Sequence, residues 1–88
     1  MRIGFTPDGW RDYIYRAATD RKTLAAVNRL VEDVRRDAFA GLGKPEPLKA
    51  DLAGWWSRRV TGAHRLVYRV EGRGEERPTI IAQCRHHY

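Results

Sequence analysis

One cysteine, Cys84, stands among the 88 residues, so neither an internal disulfide nor a cysteine-based zinc site can form. A reducing, cytoplasmic setting is the expectation that follows. No apolar run approaches the roughly 20 residues needed to cross a bilayer. Met1 to Asp8 lack the apolar stretch of about 7–15 residues that marks a secretory signal. No membrane association is expected. Repeats, low-complexity tracts and Pro/Gly/Ser linkers are also missing, which predicts a single domain over residues 1–88. Acid is the scarcer charge: 11 Asp and Glu against 17 Lys and Arg leave +6. That balance favours polyanionic partners such as RNA, DNA or an anionic membrane surface, and is silent on fold. What is present is a globular composition, 42% hydrophobic and 10% aromatic, too apolar for a disordered chain. A domain this small buries only about 60–65% of its unfolded surface, enough for one modest core.

Met1 to Phe5 reads as an opening strand. Thr6-Pro7 reads as a helix cap followed by proline at the first helical position. Trp10, Tyr13, Ile14 and Ala17 then recur at helical spacing. Thr19-Asp20 offers a second cap, and Leu24, Val27, Leu30, Val31 and Val34 continue the apolar stripe. Two helices are predicted over about residues 7 to 38. Gly41-Leu42-Gly43-Lys44-Pro45-Glu46-Pro47 cannot be helix or central strand, because its prolines lack amide donors. Three runs rich in aromatic and β-branched residues follow: Trp55 to Val60, His64 to Val70, and Thr79 to about His86. Turn residues separate them. The predicted fold is α+β, a small twisted antiparallel sheet with two N-terminal helices packed on one face.

Strand alternation sorts the side chains into faces but leaves open which face is core. Arg58, Arg59, Arg65, Arg69 and Arg85 all project from this one sheet. A lone sheet arginine is commonly a solvated edge charge. Clustered beside aromatics and histidines, such arginines suit a phosphate-binding surface. His86 and His87 are adjacent and would point to opposite faces of a strand, so no metal site is expected. Metal-free RNA cleavage needs a base for the 2′-hydroxyl, a cation for the phosphorane and an acid for the leaving 5′-oxygen. Glu46, between Pro45 and Pro47, suits the base. Arg65 or Lys49 suits the cation, and His87 the acid.

Four segments carry a more specific signal: Gly-Lys-Pro-Glu-Pro-Leu-Lys at 43–49, Trp-Ser-Arg-Arg-Val at 56–60, His-Arg-Leu-Val-Tyr at 64–68 and Cys-Arg-His-His-Tyr at 84–88. In that order they resemble the YoeB toxins, a branch of the RelE superfamily of ribosome-dependent messenger-RNA interferases. The resemblance implies the RelE-like microbial RNase fold and the toxin half of a type II toxin–antitoxin pair. It also implies cleavage of messenger RNA in the ribosomal A site without a cofactor, and neutralisation by a YefM-like antitoxin. A homodimer is compatible with it. Carried over by motif, Glu46 looks like the general base, Arg65 the phosphate-stabilising arginine, His87 the general acid and Tyr88 the terminal aromatic that positions the nucleotide. Lys49 and Arg59 match basic positions beside the reacting phosphate, and Lys44, Arg58 and His86 are expected RNA contacts. Family members often carry tyrosine where His86 stands, and the segment Gly72 to Arg77 looks longer than is usual.

The alternative from another class is a non-catalytic basic RNA-binding or ribosome-associated module, with Trp55, Trp56 and Tyr68 stacking on bases. Glu46 discriminates between the two. A carboxylate beside bound phosphate weakens binding and makes sense chiefly as a base.

Overall fold

The computed structural model describes residues 2–71 and 78–83. Met1, the segment Gly72 to Arg77 and residues 84–88 lie outside the described residues.

Helix α1, Pro7–Thr19, starts where the sequence predicts. Thr6 Oγ1 accepts the Gly9 amide at 3.0 Å, and Pro7 occupies a position that needs no donor. Asp20 ends α1 and begins α2, Arg21–Arg36. Its amide donates to the Arg16 carbonyl, and its carboxylate accepts from the Thr23 amide and hydroxyl at 3.0 and 2.6 Å. The Thr23 hydrogen bonds hold the Asp20 carboxyl below its ordinary pKa.

The strands are β1 (Arg2–Phe5), β2 (Glu46–Pro47), β3 (Trp56–Arg59), β4 (Arg65–Val70) and β5 (Pro78–Gln83), in the order β1-β5-β4-β3-β2. The β3–β4–β5 meander is the predicted antiparallel unit. The sheet as a whole is mixed, because β1 lies parallel to β5, with Arg2 opposite Pro78 and Phe5 opposite Ile81. That correction has a topological cause. Two helices intervene between the first strand and the meander, so β1 joins the sheet by a crossover rather than a hairpin. The proline-flanked segment supplies β2, a two-residue edge strand, which is where strand proline is tolerated.

Val27, Leu30 and Val34 of α2 pack with Ala38 against Leu66, Tyr68 and Ile81. The helices therefore cover one face of the sheet, as predicted. Register puts Glu46, Ser57, Arg59, Arg65, Val67 and Arg69 on the other, outer face. Between β4 and β5 the ladder slips: Val67 faces Gln83 and Tyr68 faces Ile81, so Ala82 is a bulge. Helix α1 is fastened there, with the Thr6 amide donating to Ile81 O at 2.8 Å and Thr6 Oγ1 to Ala82 O at 3.4 Å.

Gly9 makes this fastening possible. A Cβ at Gly9 would lie 2.2 Å from Ile81 O and 2.9 Å from its carbonyl carbon, both backbone atoms. Gly9→Ala should therefore cost about 2 kcal/mol, a fall in Tm of roughly 8–16 °C for a domain of this size. Gly62→Ala is the control, since nothing lies within 4 Å of its Cβ position. Equal Tm values for the two variants would refute the close approach of α1 to β5.

Candidate active site

After α2 the chain crosses from Asp37 to Glu46 with little apolar anchorage. Ala38 is buried and Phe39 leans on Trp56 with ring centroids 4.9 Å apart, but Leu42 stays about half exposed. Polar bonds to one side chain hold the segment instead. Arg58 Nη2 donates to Asp37 O at 2.5 Å and Ala40 O at 3.1 Å. Its Nη1 donates to Asp33 Oδ2 at 2.5 Å and Leu42 O at 3.2 Å, and its Nε to Tyr68 Oη at 3.0 Å. The Tyr68 hydroxyl in turn donates a hydrogen bond to Ala38 O at 2.6 Å. Asp33 Oδ2 also accepts the Leu42 amide at 2.9 Å, and its Oδ1 accepts from Arg36 Nε at 3.1 Å.

Two glycines let the backbone close over this cluster. At Gly41 φ is +124°, and a Cβ would meet Asp33 Oδ2 at 2.2 Å. At Gly43 φ is +78°, and its carbonyl accepts the Arg59 amide at 2.7 Å. The chain then enters β2 with Glu46 opposite Ser57.

The guanidinium of Arg58 has five N–H donors, and all are used. Its exposure is 0%. The expectation that Arg58 contacts RNA is therefore corrected. Alternation along β3 turns Arg58 into the core and sends Arg59 to the opposite face, where Arg59 is exposed although Ser57 and Val67 beside it are buried. Burial of a charge demands such complete pairing, because removing one partner of a buried pair costs about 3–5 kcal/mol.

The outer face is built in rungs. Glu46, Ser57 and Val67 form one across β2, β3 and β4. Arg59 and Arg65 are direct partners on the next. With strands about 4.8 Å apart and same-face residues about 6.7 Å apart along a strand, the Glu46 Cα lies roughly 8 Å from that of Arg59 and 12 Å from that of Arg65. Such a gap lets a carboxylate and two guanidinium groups meet around one phosphodiester. Glu46, Arg59, Lys44 and Lys49 are exposed and Arg65 is half-buried. Arg65 Nη1 donates to the Thr61 and His64 carbonyls at 3.0 and 3.1 Å, which curls the side chain onto the turn before β4. Its other donors have no partner among the described residues. Lys44 holds φ at +52°, and Lys49 precedes a single 3-10 turn at Ala50–Leu52. The structure thus brings Glu46, Arg59 and Arg65 to one face with the two lysines on the flanking loops. His86, His87 and Tyr88 lie outside the described residues.

Arg69, one of the clustered sheet arginines, and Trp55, a stacking residue in the alternative reading, pack against each other. The Arg69 guanidinium carbon sits 4.6 Å from the Trp55 ring centroid, and Arg69 also pairs with Glu71. Trp56 packs at the margin of the core. Among the described residues no three His, Cys, Asp or Glu side chains come together as metal ligands. A hollow of about 220 Å³ between α2 and the end of β3, lined by Arg29, Leu30, Leu42, Gly43, Arg59 and Val60 among others, includes neither Glu46 nor Arg65.

Residues 5–88 match the family model of the YoeB-like toxin of bacterial type II toxin-antitoxin systems. Toxin YoeB of Streptomyces coelicolor is 51% identical over 88 residues, covering both chains completely. A solved YoeB/ParE toxin from Agrobacterium tumefaciens superposes with a TM-score of 0.95 at 48% identity, again over the whole of both chains. YoeB of Staphylococcus aureus has been solved as a dimer (39% identity) and in complex with YefM (38%). Both have TM-scores of 0.88 and cover 100% of this chain and 98% of theirs.

The Asp33 anchor predicts an acid-sensitive fold. Its carboxyl is lowered to about 2, chiefly by the Leu42 amide, then by Arg36 and Arg58. A group depressed in the folded state adds stability that is complete above its unfolded pKa, near 3.8, and disappears as pH falls through about 2. Denaturant unfolding from pH 5 down to 2 should therefore show a steeper loss in the wild type than in Asp33→Asn. Parallel profiles would refute the anchor.

Proposed function

Because this chain belongs to the YoeB-like toxins of bacterial type II toxin–antitoxin systems, we propose that it is an endoribonuclease that enters the ribosomal A site, cuts the bound messenger RNA and stops translation. The observation that carries this reading is the outer face, where Glu46 stands on an edge strand one rung from the Arg59–Arg65 pair.

The Glu46 carboxylate takes the proton of a ribose 2′-hydroxyl. The 2′-oxygen attacks the adjacent phosphorus as the bond from phosphorus to the 5′-oxygen breaks, and His87 protonates that leaving oxygen. The products are a 2′,3′-cyclic phosphate and a 5′-hydroxyl. Arg65, with Arg59, neutralises the charge that builds on the phosphorane oxygens, as guanidinium forks do for phosphate. Lys44 and Lys49 contact neighbouring phosphates, which fixes register without reading sequence. Tyr88 positions the nucleotide, and His86 adds a contact beside it. No cofactor takes part.

A ribosomal target places the protein in the cytoplasm. By likeness to the Staphylococcus aureus YoeB dimer and YoeB-YefM complex, the chain pairs with itself and with a YefM-like antitoxin. A face that accepts anionic RNA suits an acidic antitoxin segment that orders on binding.

Single-turnover cleavage of ribosome-bound message tests the chemistry. Glu46→Gln should leave ribosome affinity equal or higher and slow cleavage by about 10²–10⁴. Removal of His87 and Tyr88 should abolish cleavage with little change in Tm. A Glu46→Gln variant that cuts at the wild-type rate would refute the base assignment. Binding without cleavage by the wild type would favour the non-catalytic RNA-binding module.

A further inference from the structure

We propose that Arg58, Asp33 and Tyr68 are positioning residues for Glu46, holding the 37–45 segment so that β2 presents the carboxylate in register. The proposal rests on the reading of Glu46 as the base. Four consecutive links carry it. Asp33, on α2, fixes Arg58 and the Leu42 amide through one oxygen. Arg58 gathers the carbonyls of Asp37, Ala40 and Leu42. Tyr68 fixes the carbonyl of Ala38 while accepting from Arg58 Nε. The Gly43 carbonyl then joins the backbone at Arg59, and Glu46 pairs opposite Ser57, so the backbone anchors of the segment flank Arg58 itself.

The apolar contacts of this segment are too few to set its path. Only Ala38 is buried, and the two glycines at 41 and 43 take backbone angles that leave it pliable without the cluster. A two-residue edge strand between prolines has little pairing of its own. Loosening the cluster should therefore move Glu46 rather than merely soften the core. A displacement near 1 Å at a reacting group can cost about 100-fold in rate.

The test is a double-mutant cycle read by single-turnover cleavage on ribosomes. Tyr68→Phe keeps the ring in the core and removes only the hydroxyl link. Alone, it should slow cleavage by about 10- to 100-fold, with ribosome affinity within about twofold. In the Glu46→Gln background the same change should cost less than about twofold, because the group it positions is already disabled. Ile3→Ala, on β1 at the edge of the sheet opposite β2, should lower Tm yet leave the cleavage rate unchanged. Arg58→Lys retains the charge without the planar fork and should behave as Tyr68→Phe does. If Tyr68→Phe does not fold, Asp33→Asn takes its place in the cycle. An equal loss in both backgrounds, or a wild-type rate in Tyr68→Phe, overturns the positioning role and leaves Glu46 as the base. A wild-type rate in Glu46→Gln alone overturns the base assignment and the positioning role with it.

Discussion

The guanidinium of Arg58 sits where α2, β3, β4 and the segment after α2 converge, and its five donors bind groups from α2, β4 and that segment. A buried ion pair is a poor source of net stability, because desolvation offsets most of the attraction and a packed hydrocarbon often does as well. What the planar fork supplies here is direction. Its donors lie in one plane at fixed angles, so the carbonyls that accept from them have one arrangement available. The Asp33 carboxylate neutralises the charge, and the Tyr68 ring lies with its centroid 5.7 Å from the guanidinium carbon. The loop thus has a polar core where a larger protein would have built an apolar one.

Consecutive arginines on β3 have opposite fates. Arg58 is consumed inside the molecule, while Arg59 reaches the exposed face and meets Arg65 across the ladder. Two guanidinium groups side by side repel each other in the free protein, and an anion between them removes that repulsion. The helices remove the opposite face of the sheet from solvent. Among the described residues Arg59 and Arg65 have no carboxylate in a salt bridge with them, whereas Arg69 on the same face pairs with Glu71.

Much of this architecture was legible in local sequence. Thr6-Pro7 and Thr19-Asp20 announced both helix starts, because a cap works through atoms within one turn of itself. The glycines and prolines from Gly41 to Pro47 announced an irregular segment, and Glu46 stood out by its neighbours. The fate of Arg58 was not legible. Alternation separates Arg58 from Arg59 but does not say which one faces inward, and the partners that decide it lie 10 to 25 residues away. Nor could Asp33 be told from the other charges of α2, since its role depends on a loop folding back over the helix. The parallel partner of β1 was hidden for the same reason of distance. The motif resemblance carried the site beyond what spacing alone supports, whereas the density of sheet arginines, which counted Arg58 with Arg59, blurred a buried charge with an exposed one.

The pairing of β1 with β5 has a consequence in time. The Thr6 hydroxyl and the Ala82 carbonyl it reaches are 76 residues apart, and at about 5–20 residues per second some 4–15 s of synthesis separates them. Throughout that interval β1 has no strand to pair with, and α1 lacks the surface on which Gly9 closes. The two helices and the strands from Trp56 to Val70 can associate earlier, since their contacts are nearer in sequence. A nascent chain of this protein is therefore an incomplete sheet, with the place between β1 and β4 vacant, until β5 is delivered. The order of translation itself keeps the sheet from closing before β5 has been made.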